Sequence, residues 1–194
     1  MKKVISILIM MLCCIASFAQ NSNEHLTFKG VPLDGTLKEF VSKMESKGFT
    51  YVNKLNSGAV MQGDFAGYSD CILLIGTLQN LDIVNSAGIY IHYKDYWFDL
   101  EKTYQTLKTM LIKKYGRPYE SFEEFEDSDS QIDDTMKMLL LKRGKCNYKT
   151  TFNLFPKGFI ILSINNLEGS YSVSLCYYDW VGTGALETEL MDDL

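Results

Sequence analysis

Apolar and polar positions along this chain follow two periods. Leu37, Phe40, Val41 and Met44 fall at i, i+3, i+4 and i+7, with lysine, glutamate and serine between them. That spacing predicts an amphipathic helix over Thr36 to Lys47. Thr36 and Glu39 fit a capping box, in which each side chain satisfies a backbone N–H of the first turn. Gly48 supplies the left-handed residue that ends the helix. A second stripe of Leu100, Tyr104, Leu107, Leu111 and Tyr115 predicts a helix from Trp97 to Tyr115, stopped by Gly116 and Pro118.

The other period is two. Tyr171, Val173, Leu175 and Tyr177 alternate with Ser170, Ser172, Ser174 and Cys176, as a strand with one face in the core requires. The serine-rich face suits either solvent or a closely approaching helix. Phe159 to Ile164 and Lys149 to Phe155 read as further strands, joined by a Pro156-Lys157-Gly158 turn. In the first half, Phe49 to Leu55, Val60 to Tyr68, Ile72 to Leu78 and Ile83 to Tyr93 are the matching segments. Strands this closely spaced leave no room for the crossovers of parallel pairing. The expected class is therefore α+β, two tandem helix-plus-antiparallel-strand units with helices packed on sheet. The units would span about 26–95 and 96–180 of a single domain covering 20–194, followed by a short tail, 181–194, in which Leu186, Leu190 and Leu194 recur every four residues.

Two tandem helix-plus-four-strand units resemble the architecture of the β-lactamase inhibitor protein and of small outer-membrane assembly lipoproteins. The phrases Thr36-Leu37-Lys38-Glu39-Phe40 with Lys47-Gly48-Phe49, and Tyr104 to Leu107 with Lys114-Tyr115-Gly116-Arg117-Pro118, also resemble small exported bacterial proteins. The resemblance would cover most of 26–180. It implies a protein-binding scaffold, and carries over no contact residue.

The N-terminus changes the cellular picture. Lys2 and Lys3 precede an apolar run from Val4 to Ile15, and Ser17-Phe18-Ala19 places small residues at the −3 and −1 positions of a signal-peptidase site. Residues 1–19 thus read as a cleaved signal peptide, and the product as periplasmic or secreted. Cys13 and Cys14 raise a lipoprotein alternative, but the residues ahead of them, Met10-Met11-Leu12, are bulky where that pattern wants a small one. No later run is long and apolar enough to span a bilayer. Export places Cys71, Cys146 and Cys176 in an oxidising compartment, where one disulfide and one spare thiol, or three buried thiols, are both open. The net charge of −5 becomes more negative once the leader's two lysines leave, which disfavours nucleic acid as a partner. Lys142-Arg143-Gly144-Lys145 reads as a charged hairpin turn.

Candidate chemistry is thin. His92 with Asp95 and a cysteine could assemble a Cys-His-Asp set in space, although no nucleophile-elbow or cysteine-protease signature supports it. Within the acidic stretch Glu120 to Asp134, the alternation from Asp127 resembles a calcium loop, but Ile132 stands where an EF-hand needs glycine and Met138 where it needs glutamate. The stretch reads as a solvated loop. Phosphate-cradling glycine motifs are absent, so no catalytic residue, metal or cofactor is expected. The aromatics that crowd the joint between halves and the equivalent place after it, Tyr93, Tyr96, Trp97 and Trp180, are the candidate binding patch, with packing of the seam as the plainer role. The expected function is a non-catalytic, exported module that binds another protein of the cell envelope or exterior. The alternative is a small hydrolase or carbohydrate-binding module acting on surface glycans.

Overall fold

The computed structural model describes residues 24–78, 81–93, 96–126, 132–167 and 169–182. The chain starts with a small hairpin, β1 (Thr27–Phe28) and β2 (Val31–Pro32), followed by helix α1 (Leu37–Glu45) and four strands: β3 (Thr50–Leu55), β4 (Gly58–Phe65), β5 (Tyr68–Thr77) and β6 (Val84–Tyr93). Helix α2 (Trp97–Tyr115), strand β7 (Glu120–Phe125), helix α3 (Asp134–Lys142) and strands β8 (Cys146–Asn153), β9 (Gly158–Leu167) and β10 (Ser170–Asp179) complete it.

Strands β3 to β10 form one sheet in the order β3-β4-β5-β6-β10-β9-β8-β7, antiparallel throughout. This corrects the expected class. The protein is mostly β, ten strands with three helices among the described residues, and not two α+β units of helices packed on sheet. The physical reason lies at the centre, where β6 and β10 pair with each other from Tyr93↔Tyr171 to Ser86↔Tyr178. The last strands of the two halves thus fuse into one sheet rather than closing separate layers. Nor is α1, about 14 Å long, enough to cover the first four strands. The β1–β2 hairpin shares that work: Phe28 stacks on Phe65 and meets Phe49 and Tyr177 edge-on.

The core lies on one face of the sheet. Phe40 and Met44 of α1, Leu100, Tyr104, Leu107 and Leu111 of α2, and Leu141 of α3 join the alternate residues Leu73, Ile89, Val173 and Leu162 of the strands in one cluster. Thr36 caps α1 in the expected box, its Oγ1 accepting from the Glu39 N–H while the Glu39 carboxylate accepts from the Thr36 N–H. That contact holds the Glu39 carboxyl below its ordinary range.

Two local expectations change. Glu120–Phe125, read as part of a solvated loop, is an edge strand paired with β8, its acids bonded to Lys108 through Glu123 and to Lys149 through Glu120. Residues 127–131, the first part of the calcium-like segment, lie outside the described residues, as do 1–19 and Asp95. The basic Lys142-Arg143-Gly144-Lys145 turn ends a helix instead of joining two strands. Asp133 caps that helix at its start by accepting from the Met136 N–H.

Candidate binding surface

The alternation of β10 sends Tyr171, Val173, Leu175 and Tyr177 into the core, and Ser172, Ser174, Cys176 and Tyr178 to the other side. Register carries that second side across the sheet. Ser172 lies between His92 and Asn165, Ser174 between Tyr90 and Ser163, Cys176 between Gly88 and Ile161, and Tyr178 between Ser86 and Phe159. The helix residues that join the core cluster, from Phe40 and Met44 through Trp97 to Leu111 and Leu141, belong to the opposite face. Among the described residues, the serine-rich face therefore looks to solvent and not to a helix.

Two depressions cross this open face. One of about 420 Å³ runs over β8, β9 and β10, lined by Lys149, Ile161, Ser163, Asn165, Ser174 and Tyr178. The other, of about 220 Å³, lies toward β5 and β6 over Leu74, Gly76, Ser86 and Gly88. Tyr90, Cys176 and Tyr178 border both and form the ridge between them. Gly88 makes the ridge possible. A Cβ there would sit 2.9 Å from Cys176 Sγ and 3.3 Å from the Tyr90 ring, so only glycine lets that ring lie across the strand.

Polar groups on the face are held by one another. Asn165 donates to Ser174 Oγ at 2.6 Å, and Ser163 and Ser174 share a hydrogen bond of 3.0 Å. His92 Nδ1 meets Ser170 Oγ at 3.0 Å. Ser172, 1% exposed between them, is the one enclosed side chain among the described residues whose polar atom has no partner. At the lower end Phe159 stacks on Tyr178 with ring centres 4.7 Å apart, and Trp180 leans on Phe159 at 5.5 Å.

The sequence-based candidates end up dispersed. Tyr93 faces the core side and shares a hydrogen bond of 2.6 Å with Thr103 on α2. Trp97 is 1% exposed, packed edge-on against Phe125 and Tyr148, with its Nε1 donating to Glu101 at 2.9 Å. It is a core residue. Tyr96 is 68% exposed beside it, whereas Trp180 belongs to the open-face aromatics. Antiparallel pairing explains the separation, because Tyr93 pairs at the start of β10 and Trp180 follows its end, about 30 Å along the strand. The open-face pattern was present in the β10 alternation, but which face the helices would choose was not.

Among the described residues no cysteine thiol and histidine ring are brought together. Cys71 and Cys146 lie on core-facing positions and Cys176 on the open face, and all three are free thiols. Burial pushes Cys146 up to about 12 and raises Cys71 and Cys176 as well. His92 bonds Ser170, while Cys176 lies four residues along β10 from its cross-strand neighbour Ser172, about 13 Å away. No cluster of metal-ligating side chains occurs among the described residues, and no described helix is long and apolar enough to cross a membrane. No family model, curated protein or solved structure matches this chain.

Proposed function

We propose that this is an exported, non-catalytic binding module that holds a partner protein against the open face of its sheet. The observation that carries the reading is the distribution of charge. The chain is 22% charged, yet no open-face position of the three central strands, β6, β10 and β9, is lysine, arginine, aspartate or glutamate. Lys149 on β8 is the nearest charge in the larger depression. Loss of charge at the centre, with tyrosine and other aromatics retained, is the compositional signature of a protein interface core. The raised thiol pKa values support a non-catalytic role, since a protonated thiol is a poor nucleophile.

The Phe159–Tyr178–Trp180 stack beside neutral amides and hydroxyls also suits a sugar ring, which keeps a carbohydrate-binding reading in second place. One experiment separates them. The chain from residue 20 is crosslinked to a cell-envelope extract and also applied to a glycan array, each with Tyr178→Ala and the distant Tyr96→Ala. A protein captured by wild type and Tyr96→Ala, but lost in Tyr178→Ala at unchanged melting temperature, supports the proposal. Glycan binding lost in Tyr178→Ala transfers it to the second reading. Capture indifferent to Tyr178 removes the open face from consideration.

A further inference from the structure

A different depression lies on the core side of the sheet edge, between α1 and β3. It measures about 460 Å³ and is floored by Leu37, Val41, Tyr51 and Ala59. A neighbouring hollow of about 370 Å³ shares Leu37, Lys54 and Asp82 with it and continues to Leu78 and Leu81. Together they make a groove along the outer flank of α1, with Tyr51 and Ile83 exposed around it. Apolar surface of this kind costs free energy when left to water.

The chain itself leads to this groove. A Cβ placed on Gly182, the last described residue, would sit 3.8 Å from Ile83 Cγ2 and 4.0 Å from Leu78 Cδ1. Residues 183–194 lie outside the described residues, and their sequence matches what the groove lacks. Leu186, Leu190 and Leu194 recur at the spacing of one helix face, and Leu186 to Leu194 would span about 14 Å as a helix, the length of α1. Glu187, Glu189, Asp192 and Asp193 give the segment four carboxylates and no lysine or arginine. Lys38 and Lys54 line the groove, and neither has an ion-pair partner among the described residues. Two acids also border it. Glu45 stands at the far end, and Asp82 at the near end accepts from the Leu37 N–H at 3.3 Å.

We infer that the C-terminal segment Thr183–Leu194 is the occupant of the α1–β3 groove, its leucines on Leu37, Val41 and Tyr51 and its carboxylates toward Lys38 and Lys54. The exit point decides for this segment over a second copy or a foreign helix, because a tethered segment reaches the groove at high effective concentration.

The test is zero-length carbodiimide crosslinking of the chain from residue 20, read by mass spectrometry on a mixture of light and heavy isotope-labelled protein. The expected result joins Lys38 or Lys54 to a tail carboxylate within one chain, in at least tenfold excess over links to Lys113 and Lys142. Leu190→Asp should remove that excess while the melting profile keeps its single transition. Links spread evenly over all four lysines, or untouched by Leu190→Asp, overturn the inference. Light–heavy pairs as the main product also overturn it, by giving the groove to a second copy.

Discussion

The two faces of β10 are built from alternate residues of one ten-residue strand and differ in nearly every physical respect. On the core side, Val173 and Leu175 are buried among the side chains of α2 and the neighbouring strands. On the other side, Ser172 and Ser174 are almost as buried, although no described helix covers them. Small side chains on a sheet disappear between taller cross-strand neighbours, here His92, Asn165 and Tyr90. Burial alone therefore does not mark the core. What separates the faces is whether the space above a side chain is filled by another element, and the two should respond differently to mutation.

Trp97→Ala on the covered side should have the largest effect. Removing a fully enclosed ring costs about 3–5 kcal/mol, or roughly 10 °C in melting temperature for a chain of this size. A circular-dichroism melt within about 3 °C of wild type would remove Trp97 from the core. The next effect is alkaline. Burial raises Cys146 from an ordinary value near 9 to about 12, and Tyr104 from near 10 to about 12. In that window the unfolded chain releases protons that the native chain retains, so stability is full below pH 9 and falls as pH rises toward 12. Cys146→Ala should make the fall shallower in urea melts taken across that range, and an unchanged slope would contradict the assignment.

Open-face changes should be smaller. Ser174→Ala removes the acceptor of Asn165 and the partner of Ser163, at a cost of about 1 kcal/mol. Ser172→Ala removes a hydroxyl that bonds nothing among the described residues, and should be neutral or slightly stabilising, within about 0.5 kcal/mol. If chemical denaturation showed Ser172→Ala to be the costlier of the two, the contrast between the faces would have to be redrawn.

Much of the local structure was legible because single residues enforce it. The apolar stripe and Gly116 bounded α2 at Trp97 and Tyr115, and the Thr36–Glu39 box placed the start of α1. Strand β7 was hidden by its own composition. Glu120, Glu123 and Glu124 read as solvated loop, but an edge strand tolerates charge, and charge there discourages pairing with other chains. Helix α3 was masked by the acidic run before it, though Asp133 offered an N-cap. The four patch aromatics do not share one surface, and the reason is geometric, since similarity along the chain does not say that antiparallel pairing will send Tyr93 and Trp180 to opposite ends of β10.

The place of β10 also sets the order in which the protein can be made. The strand that occupies the middle of the sheet, bonded to β6 and β9, is the last described one to be synthesised. Until residue 179 has emerged, β6 and β9 each present an unpaired edge, and the first four strands of the sheet have no neighbour on their inner side. A nascent or clipped chain ending before Ser170 would carry both edges exposed, the condition that invites strand addition from other molecules. Completion of the sheet is thus a late, single event, and a synthetic peptide of residues 170–182 would be the natural fragment with which to rescue a truncated chain.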